Sequence, residues 1–180
     1  MKPLFRKSRA MVSPPLVLLL LFILACGAAA QPAEPQVVGK EVVKEGGVIT
    51  ASLVRVDKVS ASSFDKTVSQ LETAISARGN MTVATIDHQK MASVVGVRLK
   101  GSRTLEFGKP DMLKELMTKS PEAGLEIPAK IYVYENPGGK TVVSYYKPSG
   151  GFASYGKDHT NMAGQTMDEM LEDIVTQGTK

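Results

Sequence analysis

Asp87 and His88 form the adjacent pair in this sequence that is best suited to proton transfer. A carboxylate beside an imidazole can act as a general acid–base pair or supply half of a metal site. Asp87 also stands where a short helix is expected to begin, and an aspartate there accepts hydrogen bonds from the first N–H groups. The helix-capping interpretation is favoured and no catalytic residue is predicted. An enzyme that uses Asp87 and His88 stays an alternative.

His159, with Met162, Met167 and Met170, is a second set of chemically useful side chains. Imidazole and thioether groups suit Cu(I), so together with His88 they offer an alternative function, the handling of a metal or haem in the periplasm. Met167 and Met170 also recur at helical spacing, and methionine commonly fills irregular cores. The core interpretation is favoured, and neither a metal site nor a cofactor is predicted.

The segment Phe107-Gly108-Lys109-Pro110 joins a predicted strand to a predicted helix. Glycine permits close approach to the backbone, and free N–H groups at a helix start can bind an anion, with help from Lys109. The alternative is a strand-to-helix turn, with Pro110 in the first helical position. A binding pocket beneath Phe107 and Gly108 is one of the two places where we expect a ligand.

Tyrosines are concentrated between residues 132 and 155, and they indicate the second place. Tyr132 and Tyr134 alternate along a predicted strand, so they share one face of the sheet. Such a face can stack on a flat ligand or receive a partner. It can also be a solvent-facing surface or the contact of a homodimer. The predicted ligand-binding residues are His88, Phe107, Gly108, Lys109, Pro110, Tyr132, Tyr134 and Tyr145.

The first 25 residues have the composition of an export signal. Lys2, Arg6, Lys7 and Arg9 are followed by a ten-residue apolar run at 16–25 and then by small residues. A basic start, a short apolar core and a small-residue cleavage site are typical of a secretory signal peptide. A transmembrane helix needs about 20 apolar residues, so the run is too short to span a bilayer permanently.

Cys26 is the only cysteine in the chain. The run Ile23-Leu24-Ala25-Cys26 resembles a lipobox, the bacterial signature in which the cysteine is lipidated. Several acyl chains on Cys26 would anchor the protein stably to the cell membrane or the outer membrane. The alternative is cleavage at Ala30, which gives a soluble secreted or periplasmic protein. With a single cysteine, a disulfide within the chain is excluded.

Net charge gives no reason to expect a nucleic-acid partner. The chain has 22 basic and 18 acidic residues, and four of the basic ones lie in the first nine residues. The remainder is therefore balanced, whereas a nucleic-acid-binding domain carries a basic excess.

Hydrophobic periodicity predicts one domain over residues 48–177, after a flexible tether over residues 26–47. The last helix is expected to begin at Thr166 after a loop over residues 148–164, and Gly101 is expected to form a β-bulge. The order is β-α-β-α-β-α-β-β-α, with strands over residues 48–59, 81–86, 97–107, 130–135 and 141–146. The hairpin and the irregular alternation predict an α+β fold, an antiparallel sheet with helices on one face.

Several segments together resemble a known bacterial family. They are SSFDKTVSQLETAISARGN, TIDH, LEFGKP and IPAKIYVYENPGGKTVVSYYKP, spread over about residues 50–177. The family is the one called domain of unknown function 302. The resemblance implies a curved antiparallel sheet similar to that of the TATA-box-binding protein, without implying DNA binding. The family commonly has Asn where Lys109 stands, Gly-Thr where Leu113-Lys114 stand and Asn where Tyr146 stands. If the family's common site uses those polar groups, the resemblance implies that this site is lost or altered here.

The expected function is therefore a non-catalytic binding or accessory domain. It would be anchored outside the cytoplasm by the lipid on Cys26, and it would hold a small apolar or aromatic ligand or a protein partner. A homodimer is a further expectation, because a small domain with an aromatic sheet face tends to cover that face.

Overall fold

A computed structural model describes the backbone of residues 36–44 and 47–180, and the side chains from residue 53 onward. These residues belong to one unit, Pro32–Lys180. The strands are β1 (Gln36–Lys44), β2 (Gly47–Val59), β3 (Met81–Asp87), β4 (Ser102–Gly108), β5 (Ala129–Glu135) and β6 (Thr141–Tyr146). The helices are α1 (Phe64–Ala77), α2 (His88–Ser93), α3 (Pro110–Lys119), α4 (Pro148–Ala153), α5 (Asp158–Gly178) and a 3₁₀ helix (Pro121–Glu126).

One antiparallel sheet organises the described residues. Its strand order is β1-β2-β6-β5-β4-β3, and every neighbouring pair runs antiparallel. The hairpin β5–β6 lies at its centre, and the long helices α1 and α5 pack against each other on one side. The predicted α+β class is confirmed. Among the described helices, none is both long and apolar enough to cross a bilayer.

The two faces of the sheet differ in composition because successive side chains of a strand point to opposite sides. On the inner face, Leu105, Ile131 and Val143 are completely buried against the helices. On the outer face, Thr104, Tyr132, Ser144 and Asp57 lie opposite one another across β4, β5, β6 and β2. The inner face supplies the hydrophobic core, and the outer face carries most of the predicted tyrosine surface.

Helix α1 follows the predicted periodicity. Phe64, Val68, Leu71 and Ile75 are all buried, and the chain leaves the helix through Gly79 at φ 69°. The residue before the helix is Ser63, whose side chain makes no capping hydrogen bond.

The tether expected over residues 26–47 is wrong for Gln36–Lys44, which form strand β1. Its β-branched residues pair antiparallel with β2, from Gln36 opposite Arg55 to Lys44 opposite Gly47. Backbone pairing with an existing strand satisfies the N–H and C=O groups of this polar segment. The predicted signal peptide over residues 1–25 and the lipidation site Cys26 lie outside the described residues.

Gly101 is not a bulge, because β4 begins only at Ser102. A Cβ atom on Gly101 would lie 2.5 Å from Cγ of Phe64 and 2.8 Å from Oε2 of Glu135. Its N–H donates to that carboxylate oxygen at 2.7 Å. The glycine is there for close packing, and the register irregularity of this sheet region lies in β3, between Thr82 and Ala84.

The loop expected over residues 148–164 is also wrong. It contains α4 and the first two turns of α5, so Thr166 lies inside α5 and caps nothing. Gly164 is buried where α5 crosses α4, and the Ser149 N–H and hydroxyl both donate to Asp168, at 3.0 and 2.6 Å. Gly164 allows the two helices to touch, whereas the sequence pattern predicts it as part of a loop.

Candidate functional site

An apolar cavity lies where β4 ends and α3 begins. Its volume is about 280 Å³, and Phe107, Gly108, Lys109 and Pro110 all contribute to its wall. Each is brought there by the strand-to-helix turn, in which Pro110 takes the first helical position and Lys109 precedes the helix. The four residues of the predicted segment therefore share one site.

Methionine dominates the remaining wall. Met81 comes from β3, Met112 from α3, and Met167 and Met170 from α5. Lys109 is the only lining residue with a charged side chain, and the other side chains in the wall are apolar. Because methionine is flexible and polarizable, such a wall can adapt to ligands of different shape. Met81, Met112 and the pair of Met167 and Met170 come from distant parts of the sequence, so no local spacing predicts that they share one wall.

Gly108 leaves part of this wall open. A Cβ atom built on Gly108 would meet no heavy atom within 4 Å. Its φ lies outside the positive region that favours glycine. Neither packing nor backbone conformation therefore requires glycine at this position, and its missing side chain leaves space beside the cavity.

The rim of the cavity is exposed and apolar. Met81 is 58% exposed and Leu113 is 47% exposed, with Val83 beside them. An apolar rim leading into an apolar cavity is the usual form of a small-molecule site. Within the part of the chain that the structure describes, the Lys109 ammonium group makes no ion pair or hydrogen bond. It is the one charge available to a ligand there.

His88, Tyr132 and Tyr134 meet on the outer face of the sheet, away from the inner face that supplies the core. The Tyr132 and Tyr134 rings stack at 5.2 Å, and the His88 ring meets Tyr132 edge-on at 5.7 Å. Two of their polar atoms are already bonded, since the Tyr132 hydroxyl contacts Ser102 at 2.9 Å and His88 Nε2 contacts Thr104 at 2.9 Å. Tyr132 is 37% exposed, so this aromatic surface offers a partly open ring with few unsatisfied polar groups.

Asp87 caps α2, as expected. Its Oδ1 accepts a hydrogen bond from the Lys90 N–H at 2.9 Å, and its Oδ2 accepts one from Arg103 at 3.3 Å. The Lys90 N–H and then the Arg103 guanidinium hold the pKa of Asp87 below its usual value. An ionised, capped carboxylate is a poor proton acceptor at neutral pH, and His88 bonds to Thr104 instead.

Tyr145 does not join the tyrosine surface, contrary to expectation. Ser144 lies opposite Tyr132 on the outer face, so the next residue, Tyr145, points inward and is buried in the core. Burial, together with the nearby carboxylates of Glu172 and Asp168, raises the pKa of Tyr145 to about 12. Its role is structural.

This raised pKa predicts a loss of stability in alkali. The unfolded chain releases the Tyr145 proton near pH 10, whereas the folded protein retains it up to about pH 12. The stability that Tyr145 contributes is therefore complete below pH 10 and is lost as the pH rises to about 12. We expect the free energy of unfolding of Tyr145→Phe to fall less steeply with pH over this interval than that of wild type. Urea unfolding at several pH values measures both free energies. Parallel pH profiles for the two proteins would contradict this.

His159 belongs to a different cluster. Its Nε2 contacts the Ser120 hydroxyl at 2.8 Å, and Lys157 donates to the same hydroxyl at 3.1 Å and to Glu122 at 2.5 Å. Ser120 is completely buried and His159 is half buried, and their contact links the end of α3 to the start of α5. The sequence shows no sign of this pair, because 39 positions separate its members.

The two histidines are not brought together. His88 rests on the outer face of the sheet, whereas His159 lies on α5, on the inner side. Met167 is buried in the core, whereas Met162, which is 67% exposed, lines one surface pocket together with His159. Within the described residues there is no cluster of three or more His, Cys, Asp or Glu side chains.

Comparison with known proteins identifies the family. The model of the domain of unknown function DUF302 matches residues 56–177, which is more than half of the chain. The chain belongs to the DUF302 family. A crystal structure of an uncharacterized conserved DUF302 protein from Bacillus stearothermophilus is similar in fold, with a TM-score of 0.64 and 14% identity. The match covers 70% of this chain and 98% of that one. Comparison with the curated proteins finds no match.

Membership accounts for the shared fold. The matched residues run from β2 to the end of α5 and include every lining residue of the apolar cavity. The cavity therefore lies within the DUF302 domain of this chain.

Proposed function

We propose that this DUF302 chain is a membrane-anchored extracytoplasmic binding domain that holds a small apolar ligand in the cavity beside Phe107 and Gly108. The observation that carries the proposal is an apolar cavity of about 280 Å³ with a single charged residue in its wall. Filling such a space with a ligand buries apolar surface on both sides, which is the main favourable term in binding.

The size of the cavity limits the ligand. A protein cavity of about 150 Å³ lined by apolar side chains binds benzene. The space of about 280 Å³ suits a molecule with one or two rings, or a short acyl chain. Lys109 is in the wall, so a ligand with one anionic or polar group could place that group beside the ammonium.

The location is part of the same proposal. A lipidated Cys26 would hold the domain at the cell membrane or the outer membrane, where apolar ligands partition. The basic start, the apolar run and the single cysteine support this location. Cleavage at Ala30, with release of a soluble periplasmic or secreted protein, is the alternative.

A second candidate is the binding of Cu(I) by thioethers. The presence of Met81, Met112, Met167 and Met170 in one wall favours it, since soft ligands select Cu(I). In this version His88 and His159 are not metal ligands. Anaerobic loading with Cu(I), followed by desalting and metal analysis, tests it: retained copper that is lost in Met170→Leu supports it, and copper-free protein excludes it.

The apolar-ligand proposal is tested with the uncharged fluorescent probe 6-propionyl-2-(dimethylamino)naphthalene, which has two fused rings. We expect saturable binding of one probe per chain, and we expect Leu113→Glu to weaken the binding at least about tenfold. The reason is that binding would desolvate a charge in the apolar wall. Leu113 is only half buried, so this substitution leaves the core intact.

Leu99→Glu is the matched control. Leu99 is 44% exposed, against 47% for Leu113, and it lies outside the cavity. It is expected to bind the probe as wild type does. Equal probe affinity in the two variants would place the probe elsewhere and would contradict the proposal.

A further inference from the structure

The segment after β3 carries the most concentrated group of exposed apolar side chains among the described residues. They are the side chains of α2 and of the turn and loop that follow it, here called the apolar tip. Its members, with their exposed fractions, are Met91 (62%), Val94 (84%), Val95 (76%), Val97 (47%) and Leu99 (44%). Grouped exposed apolar side chains on a soluble domain usually indicate an interaction surface.

The backbone holds the apolar tip in a defined conformation. Asp87 caps the start of α2, and at its end the Val95 and Val97 N–H groups donate to the Ala92 carbonyl at 3.1 and 3.0 Å. Gly96 completes the turn with φ 76°, a conformation that favours glycine. The hydrogen-bonded turn directs valine side chains outward, so their exposure is built into the fold.

The charged side chains within the segment that carries the apolar tip are all basic. Between His88 and Arg103 there is no acidic residue, whereas Lys90, Arg98 and Lys100 all lie in this interval. Lys100 donates to the main-chain carbonyl of Pro137 at 3.0 Å, which leaves its charge uncompensated. The segment that carries the apolar tip therefore supplies only positive charge, and the carboxylates of Asp87 and Glu135 contact it at its two ends.

We propose that the apolar tip inserts into the interface of a lipid bilayer that contains anionic phospholipids. Apolar side chains lower their free energy by entering the boundary between headgroups and acyl chains, and lysine and arginine at the same depth pair with anionic headgroups. Lys90, Arg98 and Lys100 lie beside these apolar side chains, so the segment complements an anionic lipid surface in both charge and polarity. The inference is independent of the ligand cavity.

The chain contains no tryptophan, which permits a direct test. Val94→Trp places a single indole on the tip, and Leu125→Trp places one at a site that is 85% exposed, against 84% for Val94. Leu125 lies in the 3₁₀ helix between Glu122 and Glu126, so it is matched in exposure and opposite in surrounding charge. Full-length proteins are mixed with vesicles of phosphatidylcholine and phosphatidylglycerol in a 3:1 ratio, or of phosphatidylcholine alone, some with brominated acyl chains.

We expect the emission of Val94→Trp to shift to the blue, and to be quenched by brominated chains, in the anionic vesicles. The shift should fall with added salt, which screens the attraction. When Lys90→Glu and Arg98→Glu are added to Val94→Trp, the partition coefficient into anionic vesicles should fall at least about tenfold. Leu125→Trp should keep a water-like emission throughout. Val95→Trp repeats the measurement at the neighbouring position.

Three results would overturn the proposal. The first is a water-like emission from Val94→Trp in anionic vesicles. The second is an equal shift in Leu125→Trp, which means that the domain adsorbs without using the tip. The third is a shift in Val94→Trp that appears without vesicles as protein concentration rises, which makes the tip a contact between protein molecules.

Discussion

Replacing Phe107 by alanine is expected to lower the free energy of unfolding by about 3–5 kcal/mol. The Phe107 ring is completely buried in the core, and it also forms part of the wall of the cavity. Its removal loses the burial of a large apolar side chain. It also joins the vacated space to an existing cavity, and neighbouring groups cannot easily fill the enlarged space. Urea unfolding followed by circular dichroism measures the loss as a lower midpoint at unchanged slope.

Leu113→Ala is the control for this experiment. Leu113 lines the same cavity but is half exposed, so its truncation removes little buried surface. We expect Leu113→Ala to lower the free energy of unfolding much less than Phe107→Ala does. A loss below about 1 kcal/mol for Phe107→Ala would mean that the ring is not a core residue.

Replacing Gly164 by valine is expected to destabilise the protein by about 1–3 kcal/mol. A Cβ atom at Gly164 would lie 2.8 Å from the Ser149 Cα and 2.9 Å from the Phe152 Cβ. Helix α4 cannot retreat without breaking the hydrogen bonds of Ser149 to Asp168. Thermal and urea unfolding measure the effect.

For Gly164→Ala, helix propensity and helix packing predict changes in stability of opposite sign. In an unconstrained helix, alanine is more favourable than glycine by about 1 kcal/mol. The packing of α4 on α5 predicts the opposite, a net loss of stability in Gly164→Ala. Stabilisation of this variant would show that the two helices do not meet closely at Gly164.

The elements with strong local signals could be predicted from the sequence. Helix α1 has its apolar residues at helical spacing, and the hairpin β5–β6 surrounds a turn that contains Gly139 at φ 76°. The class of fold followed from the order of such elements. Strand β1 was missed because its existence depends on pairing with β2, which no local pattern records.

Glycine caused the other errors. The backbone freedom of glycine predicts a bulge at Gly101 and a loop that includes Gly164. Both instead lie against a neighbouring element, where a Cβ atom would come within 3 Å of other heavy atoms. A sequence does not distinguish a glycine chosen for its backbone freedom from one chosen for its small size.

The candidate site was predicted in part. Phe107, Gly108, Lys109 and Pro110 are contiguous, so one strand-to-helix turn places all of them at the cavity. Met81 and Met112 reach the wall from other elements, and no local pattern connects either of them to this segment. Strand parity separates Tyr145 from the other tyrosines, and the topology separates His88 from the cavity wall. The residues predicted for the two ligand sites are thus divided among a cavity, the outer face and the core.

The central claim is that the cavity beside Phe107 and Gly108 holds a small ligand. Native mass spectrometry of the full-length protein from its own membrane, beside its denatured mass, tests this most directly. The account predicts a wild-type protein that retains a small molecule, and a Leu113→Glu protein that has lost it. The denatured mass should include acyl chains on Cys26. A wild-type protein that carries no bound molecule, or a molecule retained equally by Leu113→Glu, would contradict the account.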